Sequence, residues 1–180
     1  ARALLDRIAS GAIPRADLSV FQARQIRALG DESLSRRLSE VWGASRETAS
    51  DRRALMAELK KQLGSIATNE ADASRGRVVF ERVCATCHTL YGRGGEAGPD
   101  LTGAGRQDLD YLLENIIDPS ANVSADFRMV VVALNDGRVL NGIVAAQTER
   151  VLTLRTPNGT VALDRALVDE MRATTDSLMP

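Results

Sequence analysis

Apolar residues in the first third of the chain recur three or four positions apart, in four segments separated by glycine or proline. This spacing places the apolar side chains of each segment on one face of a helix. We therefore predict four helices between residues 1 and 66. Their apolar stripes are Leu4, Leu5 and Ile8; Phe21, Ile26 and Leu29; Leu34, Leu38 and Val41; and Leu55, Leu59 and Leu63.

Capping residues suggest where these helices begin. Asp17 can cap the second helix, and Asp31 or Ser33 the third, because a short polar side chain accepts a hydrogen bond from the free amide groups of the first turn. The fourth helix is predicted from about Arg46 to Leu63. Short helices of similar length favour a stack like the end of a helical-repeat array, and Trp42 is expected in its core.

Two more helices are predicted in the middle of the chain. Asn69 or Asp72 can cap a helix that continues to Val83, directly before a pair of cysteines. The apolar residues between positions 109 and 117 predict the other helix, which Pro119 ends because the residue before a proline disfavours helical backbone angles.

From residue 128 the pattern changes from helical to extended. Residues 128–134 are rich in valine, and the Asn-Asp-Gly sequence that follows them is a strong hairpin turn. The segments 139–147, 151–156 and 160–163 predict three more strands. The four strands would form a small antiparallel sheet or barrel, which we place at about residues 127–164.

The whole pattern predicts a mainly α fold with a small β part. A polar stretch after the fourth helix separates a repeat-like α-helical region, residues 1–67, from a second domain, residues 68–180, into which the sheet is inserted. The first six residues look like the middle of a helix, so we expect the chain to begin inside a larger or processed protein.

The composition and the charge argue against several classes of function. With a net charge of −1, the chain lacks the excess of positive charge that is typical of proteins that bind nucleic acid or an anionic membrane. No apolar run approaches the roughly 18 residues that cross a bilayer. The acidic side chains of the β part are scattered among turns, so no catalytic group of residues is expected. The glycine-rich residues 92–98 lack the ending and the preceding strand of a phosphate-binding loop.

All the cysteine and histidine of the chain lies in one window, because residues 84–88 read Cys-Ala-Thr-Cys-His. Two cysteines three apart on a helical turn put both sulfur atoms on one side. Cys-x-x-Cys-His is the attachment sequence of c-type haem, in which Cys84 and Cys87 would bond to the porphyrin and His88 to the iron. We therefore predict haem c, with its iron, as the cofactor.

Two other kinds of site use these residue types. A closed structural zinc site needs four ligands, whereas the chain offers two cysteines and one histidine. A thioredoxin-like thiol pair would follow a strand, whereas a helix precedes this motif. Because His88 is the only histidine, the second axial ligand would be a methionine, a less common ligand, water or a group from another chain. Four methionines are available: Met56, Met129, Met171 and Met179.

The residues around the motif resemble the class I cytochrome c family. Residues 76–88 are similar to that family's first helix and haem motif, residues 98–101 (Gly-Pro-Asp-Leu) to its next landmark, and residues 111–119 to its middle helix. The resemblance implies a hydrogen bond between the imidazole of the motif and the carbonyl of Pro99, which would fix the ring. We also expect Leu101 and Tyr111 in the walls of the haem pocket, and the glycine-rich loop along the haem edge.

In this family the distal ligand is a methionine that is often followed by proline, which favours Met179. The interval from Pro119 to Met179 is longer than in ordinary class I domains, and the predicted sheet fills it. This arrangement is similar to the haem-binding domain of the Pirellula/Verrucomicrobium type, which lies near the C-terminus of large proteins. The class I fold also has a C-terminal helix across the first helix. Without that helix we expect the face of Gly76 and Phe80 to be exposed or covered by something else, and Met179 to be mobile.

The resemblance implies an electron carrier rather than an enzyme. Such a domain would be periplasmic or exported, and it would exchange electrons with donor and acceptor proteins or with fused domains such as a dehydrogenase. The alternative is a five-coordinate haem that senses or binds a gas, or that acts like a peroxidase. The lack of a second histidine counts against peroxidase chemistry.

Overall fold

The computed structural model describes residues 1–66 and 71–180. The α-helices and the short 3-10 turns together hold 41% of the described residues, and strands, mainly in a five-stranded antiparallel sheet, hold 25%. The fold is therefore mixed α and β, with a larger β share than the pattern predicted. The predicted boundary between residues 67 and 68 and the alternative cap Asn69 lie outside the described residues.

The first three helices surround one apolar core. That core includes Leu5, Leu38 and Trp42. Trp42 is 0% exposed, and its indole N–H donates to the carbonyl of Leu18 at 2.7 Å, which confirms the predicted core position. The helices of the described chain are α1 (Arg2–Ala9), α2 (Val20–Arg27), α3 (Glu32–Val41), α4 (Ser50–Gly64), α5 (Ala73–Val83) and α6 (Leu109–Ile117).

Asp31 caps α3 and Asp72 caps α5, as predicted, since each carboxylate accepts hydrogen bonds from amides of the first turn. Within residues 1–66 and 71–180, every helix is too short or too polar to span a lipid bilayer.

Two helix starts differ from the prediction. Ser19, not Asp17, caps α2, because its hydroxyl accepts from the amide of Gln22 while the Gln22 side chain accepts from the amide of Ser19. Asp17 lies in the 3-10 turn before this capping box. The next difference is α4, which begins at Ser50 rather than near Arg46, since the backbone around Arg46 pairs with a distant segment instead.

The β part is an open sheet that ends later than predicted. The strands are β1 (Thr89–Leu90) and β2 (Arg93–Gly94), which form a short hairpin, and β3 (Arg128–Leu134), β4 (Val139–Gln147), β5 (Val151–Thr156), β6 (Gly159–Asp164) and β7 (Val168–Ser177), which form the main sheet. The four predicted strands are confirmed as β3 to β6. The hairpin and β7 were not predicted. The sequence of β7 is mostly polar and its side chains are mostly exposed, so no apolar pattern indicated a strand there. With β7 the sheet ends at Ser177 instead of at residue 164.

The order of the main sheet is β6-β5-β4-β3-β7, with antiparallel neighbours throughout. One face holds a second apolar core that includes Val132, Leu152 and Leu154. In the described part of the chain β6 and β7 do not pair with each other, so the barrel alternative is wrong and the sheet stays open.

Two extended segments, one after α3 and one after α6, join the helical region to the rest of the chain. The amide of Arg46 donates to the carbonyl of Ala121 at 3.0 Å, and that of Ala125 to Trp42 at 2.8 Å. Gly43 has a φ of +147°, and a Cβ there would lie 2.7 Å from a carbonyl oxygen of the opposite segment. Only glycine allows this close approach.

Asp118, directly after α6, is a buried charge at the same junction, with 1% exposure. Arg46 donates to both of its carboxylate oxygens, at 2.5 and 3.0 Å, and Arg52 donates to one of them at 2.5 Å. Burial raises the pKa of Asp118, but hydrogen bonds from Arg46, Thr48 and Arg52 and the charge of Arg46 outweigh this, and the pKa is lowered from its ordinary value. Charge-assisted bonds therefore tie the helical region to the end of α6.

We predict that Asp118→Asn lowers the free energy of unfolding by about 2 kcal/mol at neutral pH, since it removes hydrogen bonds that involve charged partners. The folded-state pKa lies below the unfolded value, so the contribution of Asp118 is complete above about pH 4 and is lost as the pH falls through the folded-state pKa. Urea unfolding of both proteins across this pH range measures the difference.

Asp110→Asn is the matched control on the same helix, because Asp110 pairs with Lys60 at the surface and such pairs contribute little. An Asp118→Asn protein that unfolds like the Asp110→Asn protein at every pH would contradict the assigned role.

Candidate functional site

The cysteine motif follows α5 without a break in the backbone. The amide of Cys84 donates to the carbonyl of Phe80 at 2.8 Å, and the amides of Cys87 and His88 donate to that of Cys84 at 3.1 and 2.9 Å. The helical turn thus continues through the motif, and the two cysteines three residues apart share one side of it. Both thiols are free and half-buried.

The imidazole of His88 is oriented by one hydrogen bond. Its Nδ1 lies 2.9 Å from the carbonyl oxygen of Pro99, which is the contact that the family resemblance implied. Because a carbonyl can only accept, Nδ1 carries the proton. In the neutral form of the ring, a proton on Nδ1 leaves the lone pair of Nε2 available to a metal, an arrangement that is usual for metal-binding histidine.

Gly98 holds the same ring from its side. A Cβ at this position would lie 2.6 to 3.0 Å from three atoms of the His88 imidazole, so the backbone of Gly98 packs directly on the ring. The amide of Gly98 also donates to the carbonyl of Cys87 at 2.7 Å. From the sequence, Gly98 was noted only as part of the Gly-Pro-Asp-Leu segment, and no contact with His88 was predicted for it. Its contact with the imidazole appears only once the loop is folded back.

The glycine-rich loop packs on the backbone of the motif. Gly94 has a φ of +121°, and a Cβ there would collide with the carbonyl oxygen of His88. The amide of Gly95 donates to the carbonyl of Ala85 at 2.8 Å, and its carbonyl accepts from the hydroxyl of Thr89 at 2.9 Å. Glycine is therefore needed here to bring two backbone segments together. The expected contact of this loop with the haem edge stays a prediction.

Leu101 and Tyr111, the two expected pocket walls, have different neighbours. Leu101 is half-buried beside the motif, and its amide donates to the carbonyl of Thr89 at 2.8 Å. Tyr111 is buried on the side of α6 that faces the helical region, with its ring edge-on to Phe21 at 5.3 Å between centroids. Burial raises the pKa of Tyr111. For both residues a contact with haem stays a prediction.

Met179 lies two residues after the end of β7 and is half-buried. Its amide donates to the hydroxyl of Ser177 at 3.0 Å. The amide of Ser177 in turn donates to the hydroxyl of Ser120, at 3.1 Å, in the 3-10 turn Pro119–Ala121 that follows α6. Nothing in the sequence pointed to Ser120, because a serine after a helix stop has no distinguishing pattern.

Several apolar side chains on α5 and α6 are exposed in the described part of the chain. Val79 and Val83 on α5 are 51% and 64% exposed, and Ile116 on α6 is 54% exposed. Gly76 is exposed, and a Cβ there would meet nothing within 4 Å, whereas Phe80 is half-buried; both residues line a groove of about 850 Å³. The groove is mixed in character, since Arg77, Glu81 and Arg93 also line it.

The donor atoms suit haem better than a bare ion. Among the described residues no three side chains of the His, Cys, Asp and Glu types come together in a way that could hold a metal ion. A closed zinc site needs four such ligands. A porphyrin brings four nitrogen ligands of its own, so one free imidazole nitrogen and two thiols in reach of its edge are the set that it requires.

We predict that Gly98→Ala disturbs the imidazole, because the added methyl group would overlap three ring atoms and force the ring away from Pro99. Overpacking of this kind costs about 1–3 kcal/mol. The measurements are haem bound per chain, by absorbance, and thermal unfolding of the haem-loaded protein.

Gly103→Ala is the control for this substitution, since a Cβ at Gly103 meets nothing within 4 Å. Equal haem content and equal melting temperature in the two variants would show that the backbone at Gly98 does not hold the ring.

Comparison with known protein families finds a match in this part of the chain. Residues 73–130 match the model of the family described as Cytochrome c. No curated protein matches the chain. The matched segment runs from the start of α5 into β3 and contains the motif, the glycine-rich loop and α6. It supports a class I cytochrome c domain in this part of the chain, which suggests an electron carrier with redox partners. The match supports a c-type cytochrome haem-binding domain over residues 73–130, and a domain of this kind implies covalently bound haem c with iron.

Proposed function

We propose that residues 68–180 form an electron-transfer domain in which Cys84 and Cys87 attach haem c, His88 is the proximal ligand and Met179 is the distal ligand. No residue of the domain is assigned a catalytic role. The observation that carries the proposal is the hydrogen bond from Nδ1 of His88 to Pro99, at 2.9 Å, because it fixes the tautomer and leaves Nε2 for iron.

The two thiols are suited to covalent attachment. Each would add its sulfur to one carbon of a vinyl group and its hydrogen to the other, forming a thioether. The carbonyl of Cys84 accepts from the amides of Cys87 and His88, so the two sulfur atoms and the imidazole belong to one helical turn. A rigid turn presents all three groups at fixed separations, which lowers the entropy cost of forming the bonds.

Haem supplies one-electron chemistry, since its iron alternates between the ferrous and ferric states. The residues set how easily this occurs. A methionine thioether is a soft ligand, so Met179 would favour the ferrous state and raise the reduction potential. With His88 and Met179 on opposite sides no position would be left for a gas, which favours electron transfer over sensing.

The β part supports a more specific resemblance. β3 to β7 occupy residues 128–177, between α6 and Met179, where ordinary class I domains are short. We propose that this domain is of the Pirellula/Verrucomicrobium type, that it belongs to a larger exported or periplasmic protein, and that its redox donors and acceptors are other proteins or fused domains such as a dehydrogenase. The same proposal makes residues 1–67 a repeat-like α-helical region that packs against the haem domain.

We predict that Cys84→Ser together with Cys87→Ser abolishes covalent attachment, because a serine hydroxyl does not form the thioether. Mass spectrometry of the denatured protein, made with a haem-maturation system, should show the haem mass on the wild-type chain and not on the variant. A wild-type chain without the added mass would remove the proposed function.

We predict that Met179→Ala removes the absorption band that arises from methionine bound to ferric iron. The reduction potential should fall by about 59 mV or more, the shift for a tenfold weaker preference for the ferrous state in a one-electron couple. Carbon monoxide should then bind the reduced variant but not the reduced wild type.

Met171→Ala is the matched control, since Met171 lies within β7, opposite Val132. An unchanged spectrum in Met179→Ala would remove Met179 from the iron. Carbon monoxide binding to the wild type would favour the five-coordinate alternative.

A further inference from the structure

The end of β7 leaves the sheet before it reaches Met179. Arg128 pairs with Ser177, whereas Val130 pairs with Ala173, so between these pairs one residue of β3 opposes three of β7. A bulge of this kind interrupts the ladder and changes the direction of the strand. The ladder resumes only at Ser177, and residues 178–180 lie beyond it.

Ser120 supplies a contact to this segment from outside the sheet. Its hydroxyl accepts from the amide of Ser177 at 3.1 Å, and the hydroxyl of Ser177 accepts from the amide of Met179 at 3.0 Å. The two hydrogen bonds form a relay from the turn after α6 to the backbone of Met179.

The turn that carries Ser120 is itself held on both sides. Asp118, before it, is buried and bound by Arg46 and Arg52. Ala121, after it, donates its amide to the carbonyl of Asp118 at 2.9 Å and accepts from the amide of Arg46 at 3.0 Å. The hydroxyl of Ser120 is thus presented from a segment that the helical region fixes in place.

We propose that Ser120 is a positioning residue for Met179, through which the helical region controls how firmly the distal ligand is held. The inference rests on the proposed ligation by Met179. When the Ser120 hydroxyl is removed, the segment after the bulge is restrained by one contact fewer. The thioether is then held near the iron for a smaller fraction of time, and an added ligand competes with it more successfully.

The test is a titration of the oxidised, haem-loaded protein with imidazole, followed by absorption. We expect Ser120→Ala to bind imidazole about fivefold more tightly than the wild type, the factor that corresponds to one hydrogen bond of ~1 kcal/mol. Ser120→Thr keeps a hydroxyl and should bind as the wild type does. Ser177→Ala removes the contact with Met179 and should also bind more tightly.

Ser124→Ala is the matched control, because the Ser124 hydroxyl is buried four residues further on and has no hydrogen-bond partner in the described part of the chain. It should leave imidazole binding unchanged. Thermal unfolding of each variant separates a general loss of stability, which would lower the melting temperature in proportion to the change in imidazole binding, from a local effect on Met179, which would change imidazole binding at an unchanged melting temperature.

The Met179→Ala variant distinguishes the hypothesis that Met179 binds the iron from the hypothesis that Ser120 positions Met179. If it binds imidazole much more tightly than the wild type while Ser120→Ala and Ser177→Ala bind like Ser124→Ala, the positioning role is overturned and the ligation stands. If Met179→Ala itself binds imidazole like the wild type, the ligation fails, and the positioning role fails with it.

Discussion

The hydrogen bond between the His88 imidazole and the Pro99 carbonyl is the constraint on which the rest of the site depends. It fixes the ring in one orientation and one tautomer. To make it, the loop after the motif has to fold back on the motif, and this return requires backbone without side chains at Gly94 and Gly98. The cluster of glycines, which on its own could be taken for a flexible linker, is therefore a packing surface for the imidazole and the turn beneath it.

The helix α6 connects this site to the remainder of the chain through two different faces. One face carries Tyr111 against Phe21 and ends at Asp118, which the arginines of the helical region bind. The other leaves Ile116 more than half exposed at 54%. Because the first face is tied by buried and charged contacts, α6 offers the second face on a rigid support. The helical region thus contributes to the frame of the segment that matches the cytochrome c family.

The sequence was most informative where structure is decided by neighbouring residues. The caps Asp31 and Asp72, the four strands of the main sheet and the attachment motif all follow from local patterns. Prediction failed where a distant partner decides. Ser19 outcompetes Asp17 as a cap through a reciprocal bond with Gln22, and α4 starts late because its expected first residues pair with the segment after α6. The strand β7 carries a polar sequence and is held by β3 rather than by its own pattern.

The difference between local and distant contacts also applies to the two proposed iron ligands. The bond that orients His88 joins residues 11 apart in the chain, whereas the contact that restrains the arm of Met179 joins residues 57 apart. A local contact forms whenever the loop closes, because little chain entropy is lost. A contact across 57 residues requires that α6, the sheet and the junction with the helical region are all in place. The proximal side of the proposed site is therefore a property of the motif, and the distal side is a property of the whole fold. The β part and the helical region, which carry no assigned chemistry of their own, would then set the strength of the methionine bond and with it the reduction potential.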